Sequence, residues 1–484
     1  MAEGLIELVQ QLNYGNPSLS LDHVEDTYTE WTVCEVPAHL RTKYPANFQN
    51  KGLEFGLHRR TLTKSPTEVF KADIARILHS KLTLKGSSWD RFARDVVGDV
   101  NKARRAYSSS SARFSDEDIY SLLALDALFL VFLFKYAFCG GFFLKEFETL
   151  AGKLRGILLL TDKTDFFLID NQVPMYLLQS AIRQLCEIDE DTFQKKIDDP
   201  GFQLELKVED ELEVVLIGAV LNLNPFTFPE DTSGSLSFQQ NEQNSRDLLR
   251  KHLLETYPVV PFEKSLINCQ HLLDCLYTVI CGHSLPFSVE EGLESSKLAL
   301  ESIPSATRLE AVGIRSVGMA PTLRDVKMSG RGYLKSAKFQ LPKVTLYDYS
   351  ESAFHNLGLH EQFKTKGRCG DLRCYLQCMA SLCVDASDLQ ILSEEGVINN
   401  HTGNDALAGM WDRTLKGVFT PFPSSTWVRC YSKIHQHRKT RLKRWRCEFW
   451  DLFFAKPWTL VSVIAALILL ILTAVQAYYT VHPP

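Results

Sequence analysis

From Trp458 to Tyr479 the chain runs for 22 residues without a charge, WTLVSVIAALILLILTAVQAYY, and only Thr459, Ser462, Thr473 and Gln476 are strongly polar. As a helix this run spans about 33 Å, close to the hydrocarbon thickness of a bilayer, about 30 Å. Its flanks have matching chemistry. Trp445, Trp450 and Trp458 lie on one side and Tyr478 and Tyr479 on the other, and such amphipathic rings favour the headgroup layers. Pro457 suits a helix start, where its missing N–H would lack an intrahelical partner anyway. A buried core helix is the rival, but core helices seldom stay apolar on every side for this length. The run therefore predicts a transmembrane helix over 457–479, marked by Pro457, Trp458, Gln476, Tyr478 and Tyr479.

Upstream, residues 429–446 hold Arg429, Lys433, Arg438, Lys439, Arg441, Lys443, Arg444 and Arg446 and no acid. Of the 53 basic residues, 45 remain outside this stretch, against 58 acidic ones. So acidic a body does not suit a nucleic-acid binder, which needs basic side chains spread over its surface. Lysine and arginine beside a span are drawn to anionic lipid headgroups, each by about 1 kcal/mol. The positive-inside rule then puts residues before Lys456 in the cytosol and the short tail 480–484 across the membrane. A nuclear-localisation signal is the rival reading of HRKTRLKRWR.

The opening MAEGLIELVQQLNYGN has Glu3 and Glu7 where a signal peptide carries positive charge, and it lacks an apolar core. The expectation is a single-pass protein of the plasma membrane or an endomembrane, with a cytosolic body. Asn400-His401-Thr402 is the only glycosylation triplet with an allowed middle residue. In this topology Asn400 is expected to stay unmodified. Cys447 is either a palmitoylation site or a plain thiol.

With 484 residues the chain can form two or three cores, and 45% hydrophobic with 23% charged residues is ordinary for a folded protein. Ser115 with Asp118 three residues on reads as a capping box opening a helix through SDEDIYSLLALDALFLVFLFKYAF. Asp126 and Lys135 interrupt that helix, which marks it as core and not as a second span. Helical rhythm continues over 148–184, broken at Pro174, and recurs over 245–283 and 370–395. FQLPKVTLYDY at 339–349 alternates as a strand, and KMSGRGYLK before it supplies a partner strand and a glycine turn. The fold class is mainly α with a small β element (α+β), a large helical body plus one C-terminal transmembrane helix. The expected divisions are an N-terminal extension 1–30, a helical part 31–226 and a flexible polar linker 227–247. After them come a second part 248–428 with a small sheet near 325–350, a basic juxtamembrane segment 429–456, the helix 457–479 and the tail.

Motifs for chemistry are missing. There is no GxxxxGK[ST], GxGxxG or GxSxG, and His360-Glu361 lacks the second histidine of a zinc-binding HExxH. Cys369, Cys374, Cys378 and Cys383 form the densest cysteine group, but their spacing is looser than zinc sites use. Buried or free thiols are expected there, with no metal and no cofactor. Acidic clusters at 116–118, 187–191 and 209–213 read as helix N-termini or solvated faces.

Several ordered segments carry a family resemblance. Val36-Pro37-Ala38-His39-Leu40-Arg41 matches a Val-Pro-x-x-Leu-Arg opening, and Phe55-Gly56-Leu57-His58-Arg59-Arg60 partly matches a segment ending in paired histidines. Asp126-Ala127-Leu128-Phe129 stands for Asp-Gly-x-Phe, and Asp170-Asn171-Gln172-Val173-Pro174 for Glu-Asn-Gln-x-Pro. Leu341-Pro342, Asn356-Leu357, Glu361-Gln362, Asp388-Leu389, Gly396-Val397-Ile398 and Lys456-Pro457-Trp458 follow in order. Over roughly 30–480 the chain resembles a divergent member of the plant family named domain of unknown function 247 (DUF247, UPF0481-like). The resemblance implies a single-pass membrane protein with a large helical domain and no established enzymatic activity.

Asp126, Asp170, Asn171, Gln172 and Pro174 are thus the candidate signature, for a partner site or for structural closure where the proline breaks a helix. The leading expectation is a membrane-anchored recognition or scaffold module for a protein or peptide partner. The alternative is a membrane-tethered enzyme of unrecognised type, drawing on Asp126, Asp165, Asp170, His271 and His360. A purely structural membrane organiser is the third reading.

Overall fold

The computed structural model describes residues 33–60, 66–139, 144–160, 162–188, 212, 215–220, 223–227, 266, 268–282, 303–330, 337–365, 370–402, 409–415, 425–439 and 457–481. These are mainly helical with one small sheet. The chain forms two compact units, each assembled from separated stretches. The first takes Met1–Asn224, Ser235–Val279 and Ser352–Phe363; the second takes Pro225–Gly234, Ile280–Glu351 and Lys364–Pro484. The extension 1–30, all of the linker 227–247 but Thr227, and Arg441, Lys443, Arg444 and Arg446 lie outside the described residues.

In the first unit α1 (Ala38–Lys43), α2 (Pro66–Leu84), α3 (Trp89–Val97) and α4 (Val100–Ala106) lead to α5 (Asp116–Cys139). Ser88 caps α3 by accepting from the Arg91 N–H, and Phe92, Ala93, Val96 and Val97 form its buried stripe. The predicted box at Ser115 is present: the Asp118 N–H donates to Ser115 Oγ at 3.1 Å and the Ser115 N–H to Asp118 Oδ2 at 3.2 Å. Among the described residues α5 holds the one stretch long and apolar enough to cross a membrane, Asp116–Ala137, and 67% of its most apolar window is buried inside the protein. It is the core helix of its unit, packed against α2, α3 and α8. After α6 (Ala151–Leu160) and the single turn α7 (Thr164–Phe167), the chain stays irregular through Pro174, and α8 (Met175–Ile188) starts just beyond it. Proline has no N–H to give a continuing helix, which accounts for the break. α9 (Leu272–Cys281) follows.

Strands β1 (Phe226–Thr227), β2 (Ile314–Ala320), β3 (Lys327–Ser329), β4 (Ala337–Leu346) and β5 (Ile398–Asn400) make the sheet of the second unit, with α10 (Ala306–Glu310) leading into β2. Among the described residues all strand pairing runs through β4. Its first half takes β2 in parallel, Ile314 opposite Ala337, and β3 antiparallel, Lys327 opposite Gln340. Its second half takes β1 antiparallel, Phe226 opposite Val344, and β5 in parallel, Val344 opposite Ile398. β2 and β5 extend the expected sheet beyond 325–350. Gly318 shows why β2 hides in the sequence: a Cβ there would lie 1.9 Å from the Gly396 carbonyl oxygen. The close approach lets the Gly318 N–H reach the Glu395 carbonyl at 3.1 Å, and a glycine interrupts the pattern that marks a strand.

Helices α11 (Ser350–Lys364), α12 (Asp371–Leu382), α13 (Ala386–Glu394), α14 (Met410–Leu415), α15 (Ser425–Lys439) and α16 (Pro457–Val481) complete the described elements. Asp385 and Asp388 make a reciprocal capping box at the start of α13. α15 buries Trp427, Cys430, Tyr431 and Ile434, while Arg429, Lys433 and Arg438 face out. Its Cys430 Sγ lies 3.3 Å from the Val326 carbonyl and its His437 Nε2 3.2 Å from that of Val312. Cys374 and Cys378 are buried on α12, Cys383 follows it half-buried, and Cys369 is outside the described residues. α16 is 25 residues long, and every side chain from Ile464 to Tyr478 is exposed. That described apolar stretch falls short of the length that marks a spanning helix.

Gly318→Ala should cost about 3 kcal/mol, because the Cβ meets backbone that cannot move aside. Gly156→Ala, on α6 with open space around the new carbon, should instead stabilise by about 0.5–1 kcal/mol. Urea unfolding of the two full-length variants checks both signs.

Candidate functional site

The first unit buries charge at its centre, and the burial dictates what surrounds it. Asp126 sits on the core helix α5 and is fully buried, so its carboxylate needs donors in place of water. Lys71 Nζ donates to Oδ1 at 2.7 Å, Arg60 Nη1 reaches both oxygens at 2.8 Å and the Gly56 N–H reaches Oδ2 at 2.9 Å. Glu68 balances the second cation: Oε1 accepts from Lys71 and Oε2 from Arg60, each at 2.7 Å. Lys71, itself fully buried, also donates to the Glu54 carbonyl at 2.6 Å. Two carboxylates and two cations thus hold the segment 54–60 onto α2 and α5.

The signature after α7 ties down the same segment from another side. Asp170 is buried, with Arg59 Nε donating to one of its oxygens and Arg41 Nη2 to the other. Asn171 Oδ1 accepts the Phe55 N–H at 2.8 Å, while its Nδ2 donates at 2.9 Å to the carbonyls of Leu53 and Asp165. Gln172 Nε2 donates at 2.9 Å to the carbonyls of Phe166 and Leu168, and its Oε1 accepts the Leu273 N–H at 3.1 Å. These amides close the backbone groups that the Pro174 break leaves without helical partners. Gly56 allows the approach. Its φ is +67°, and a Cβ would fall 2.7 Å from the Gln172 carbonyl oxygen and from the Tyr107 ring.

Asp165 accepts from the backbone N–H groups of Lys51 and Leu53 at 2.7 and 2.8 Å. Burial pushes its carboxyl up to about 6, against the pull of those two donors. His58 has Ser110 Oγ at 2.7 Å from Nδ1 and the Val33 carbonyl at 3.2 Å from Nε2. Burial holds its pKa below the ordinary imidazole value. His271 and His360 meet each other elsewhere in the unit, ring centroids 5.2 Å apart, and His360 Nε2 lies 3.0 Å from Asp274 Oδ1. Beside them Tyr277 donates to Glu361 Oε1 at 3.0 Å. Asn356 anchors α11 to the signature loop by accepting the Ile169 N–H at 3.1 Å.

The sequence pattern singles out Asp126, Asp165, Asp170 and the two amides, but not Glu68 or the cations Arg59, Arg60 and Lys71 that neutralise the acids. The signal for Arg59 and Arg60 is the Leu57-His58-Arg59-Arg60 stretch, where the resemblance is only partial; Lys71 has none. Asn400 ends β5, and its Oδ1 accepts from the Thr402 N–H and hydroxyl at 3.0 and 2.8 Å. Arg438 lies on α15 with its side chain exposed, and Lys439 closes that helix. Among the described residues no group of three or more His, Cys, Asp or Glu side chains is placed to hold a metal ion. The surface beside the network carries a shallow cleft of about 480 Å³, lined by Glu35, Val36, Pro37, Ala38, Arg41 and Thr42.

Fold and site define a mainly helical protein whose signature polar side chains join distant stretches of its own backbone. The chain belongs to the plant family of unknown function called domain of unknown function 247 (DUF247), which matches residues 33–472. It is similar to a UPF0481 protein of Arabidopsis thaliana, 24% identical over 397 residues that cover 79% of this chain and 71% of the relative. No solved structure matches it.

Removing one member of a buried ion network leaves its partners unpaired, at about 3–5 kcal/mol. Asp126→Asn is expected to cost that much in urea unfolding, whereas Glu68→Gln, at the partly exposed rim, should cost about 1 kcal/mol.

Two titrations act with opposite signs. The Asp165 carboxyl has a higher pKa folded than unfolded, so its contribution to stability falls as pH rises from about 4 to about 6. Asp165→Asn should therefore gain on the parent across that window. The His58 pKa is lower folded than unfolded, so stability is lost as pH drops below 6.5. In His58→Gln that loss should be absent. Unfolding free energies of parent and variants over pH 4–8 test both.

Proposed function

We propose that this protein is a single-pass, membrane-anchored recognition module whose helical body binds a protein or peptide partner. The observation that carries the anchor is α16. Its 25 residues span about 37 Å as a helix, enough for a hydrocarbon core of about 30 Å. Leu467, Ile468, Leu469, Leu470, Ile471 and Leu472 are each more than half exposed, and an apolar surface of that extent calls for lipid or a partner to cover it. The outward-facing Arg429, Lys433 and Arg438 of α15, with the further basic residues up to Arg446, suit anionic headgroups and a cytosolic body. The membrane in question is the plasma membrane or an endomembrane.

The recognition half of the proposal rests on how the signature residues are used. Asp126, Asp170, Asn171 and Gln172 are buried and bonded within the unit, a framework supporting the surface beside it. A membrane-tethered enzyme would draw on Asp126, Asp165, Asp170, His271 and His360; these are at most 4% exposed, and the cleft is lined by none of them.

The topology test adds a glycosylation acceptor after Pro484, in chains with Asn400 intact or replaced by Gln, and reads glycosidase-sensitive shifts. Modification of the added site alone is the expected result. Modification that depends on Asn400 would put the body on the far side of the membrane and refute the cytosolic reading. Modification of neither site would refute the span.

A further inference from the structure

The cleft and the buried signature meet at one side chain. Arg41 lines the cleft and is 43% exposed, yet its Nη2 donates to Asp170, which is fully buried. Arg59, only 7% exposed, holds the other oxygen of Asp170, and its Nη2 has no partner among the described residues. Two guanidinium groups therefore share one buried carboxylate, and of the three side chains Arg41 alone lines the cleft. A guanidinium carries five N–H donors in a rigid fork matched to the two oxygens of a carboxylate. Among the described residues, the hydrogen bond from Arg41 to Asp170 uses one of them. The rest of the fork is available to the cleft while Asp170 stays satisfied.

The remaining lining narrows the ligand. Val36, Pro37 and Ala38 give an apolar wall, Thr42 adds a hydroxyl, and Glu35 adds a second, exposed carboxylate. The lining holds one cation, Arg41, and one acid, Glu35, so a carboxylate is matched by Arg41 while the second charge of a phosphate dianion finds no partner there. A peptide offers the matching set: one carboxylate for Arg41, small apolar contacts, and N–H groups for Glu35. We infer that this cleft is a carboxylate-binding subsite for a peptide segment, with Arg41 as the recognising residue and Asp170 and Arg59 as its positioning residues. The carboxylate comes either from an acidic side chain or from a free C-terminus.

This inference rests on reading the body as a recognition module but not on its topology. Binding in detergent is blind to the side of the membrane, so the two can fail separately.

The experiment uses the full chain in detergent and fluorescent hexapeptide pools with other positions randomised, read by anisotropy. One pool has a central Glu and an amidated end, one a central Gln and a free C-terminus, and one a central Gln and an amidated end. At least tenfold tighter binding of the first or second pool than of the third is expected, and which of the two binds identifies the source of the carboxylate. Arg41→Gln should lose at least tenfold, and Glu35→Gln, at the exposed rim, should gain two- to fivefold. Equal binding of the three pools, or no binding by any, overturns the inference. So does inorganic phosphate displacing the pool more strongly than acetate at equal concentration. If Arg41→Gln fails to fold, Glu35→Gln decides: unchanged or weaker binding of the pool that the parent prefers also overturns it.

Discussion

A carboxylate moved out of water loses solvation worth several kcal/mol unless other donors replace it. In this chain the replacement is made at Asp126, and much of the first unit follows from it. The helix that carries Asp126 is otherwise apolar enough to pass for a membrane span, so the acid cannot turn to solvent without pulling Phe and Leu side chains out with it. It recruits Lys71 from α2, Arg60 and the Gly56 N–H instead. Glu68 then joins because two cations against one acid would leave a buried positive charge. A loop with no regular structure of its own, residues 51–60, acquires a single path through these bonds.

Asp170, Asn171 and Gln172 extend the same logic to the break at Pro174. A helix that ends inside a core leaves carbonyls and N–H groups that water cannot reach. The two amides each bond to more than one backbone group, and together they satisfy what the proline interrupts. Hydrogen bonds of this kind add about 1 kcal/mol apiece. Their larger effect is on register, since each accepts or donates at one residue of a distant segment and penalises any slip.

Local features of this fold are legible in the sequence. The Ser115 box, the core character of the helix behind it and the break at Pro174 depend on residues close together in the chain. The β4 pattern is readable for the same reason. β2 and β5 are not, because Gly318 gives up a side chain to let the backbone of 395–396 approach, and that need is set by the turn before β5, some eighty positions away. At the site, Asp126, Asp170 and the amides stand out by type, whereas Glu68 and Lys71 sit on α2, a helix with no motif to mark them. Nothing local distinguishes a lysine bound for solvent from one that will pair at 2.7 Å with an aspartate 55 positions on.

Burial also separates two uses of charge within the one network. Asp126 and Lys71 are both fully buried, so their pairing acts on the fold alone, and no ligand can reach it without unfolding the unit. Asp170 is equally buried, but one of its partners is not, and the 43% exposure of Arg41 brings the end of the network to the surface. A charge there costs little to keep because the surrounding water screens it, while its position is fixed by a carboxylate that cannot move. Rigid support beneath an accessible donor fork is the arrangement that binding requires, since less freedom remains to be lost when a ligand arrives. The same arrangement gives little help to chemistry at Asp170, whose two oxygens already accept from arginines. The physical case for recognition therefore lies at the rim of the network, and the case for structure at its centre.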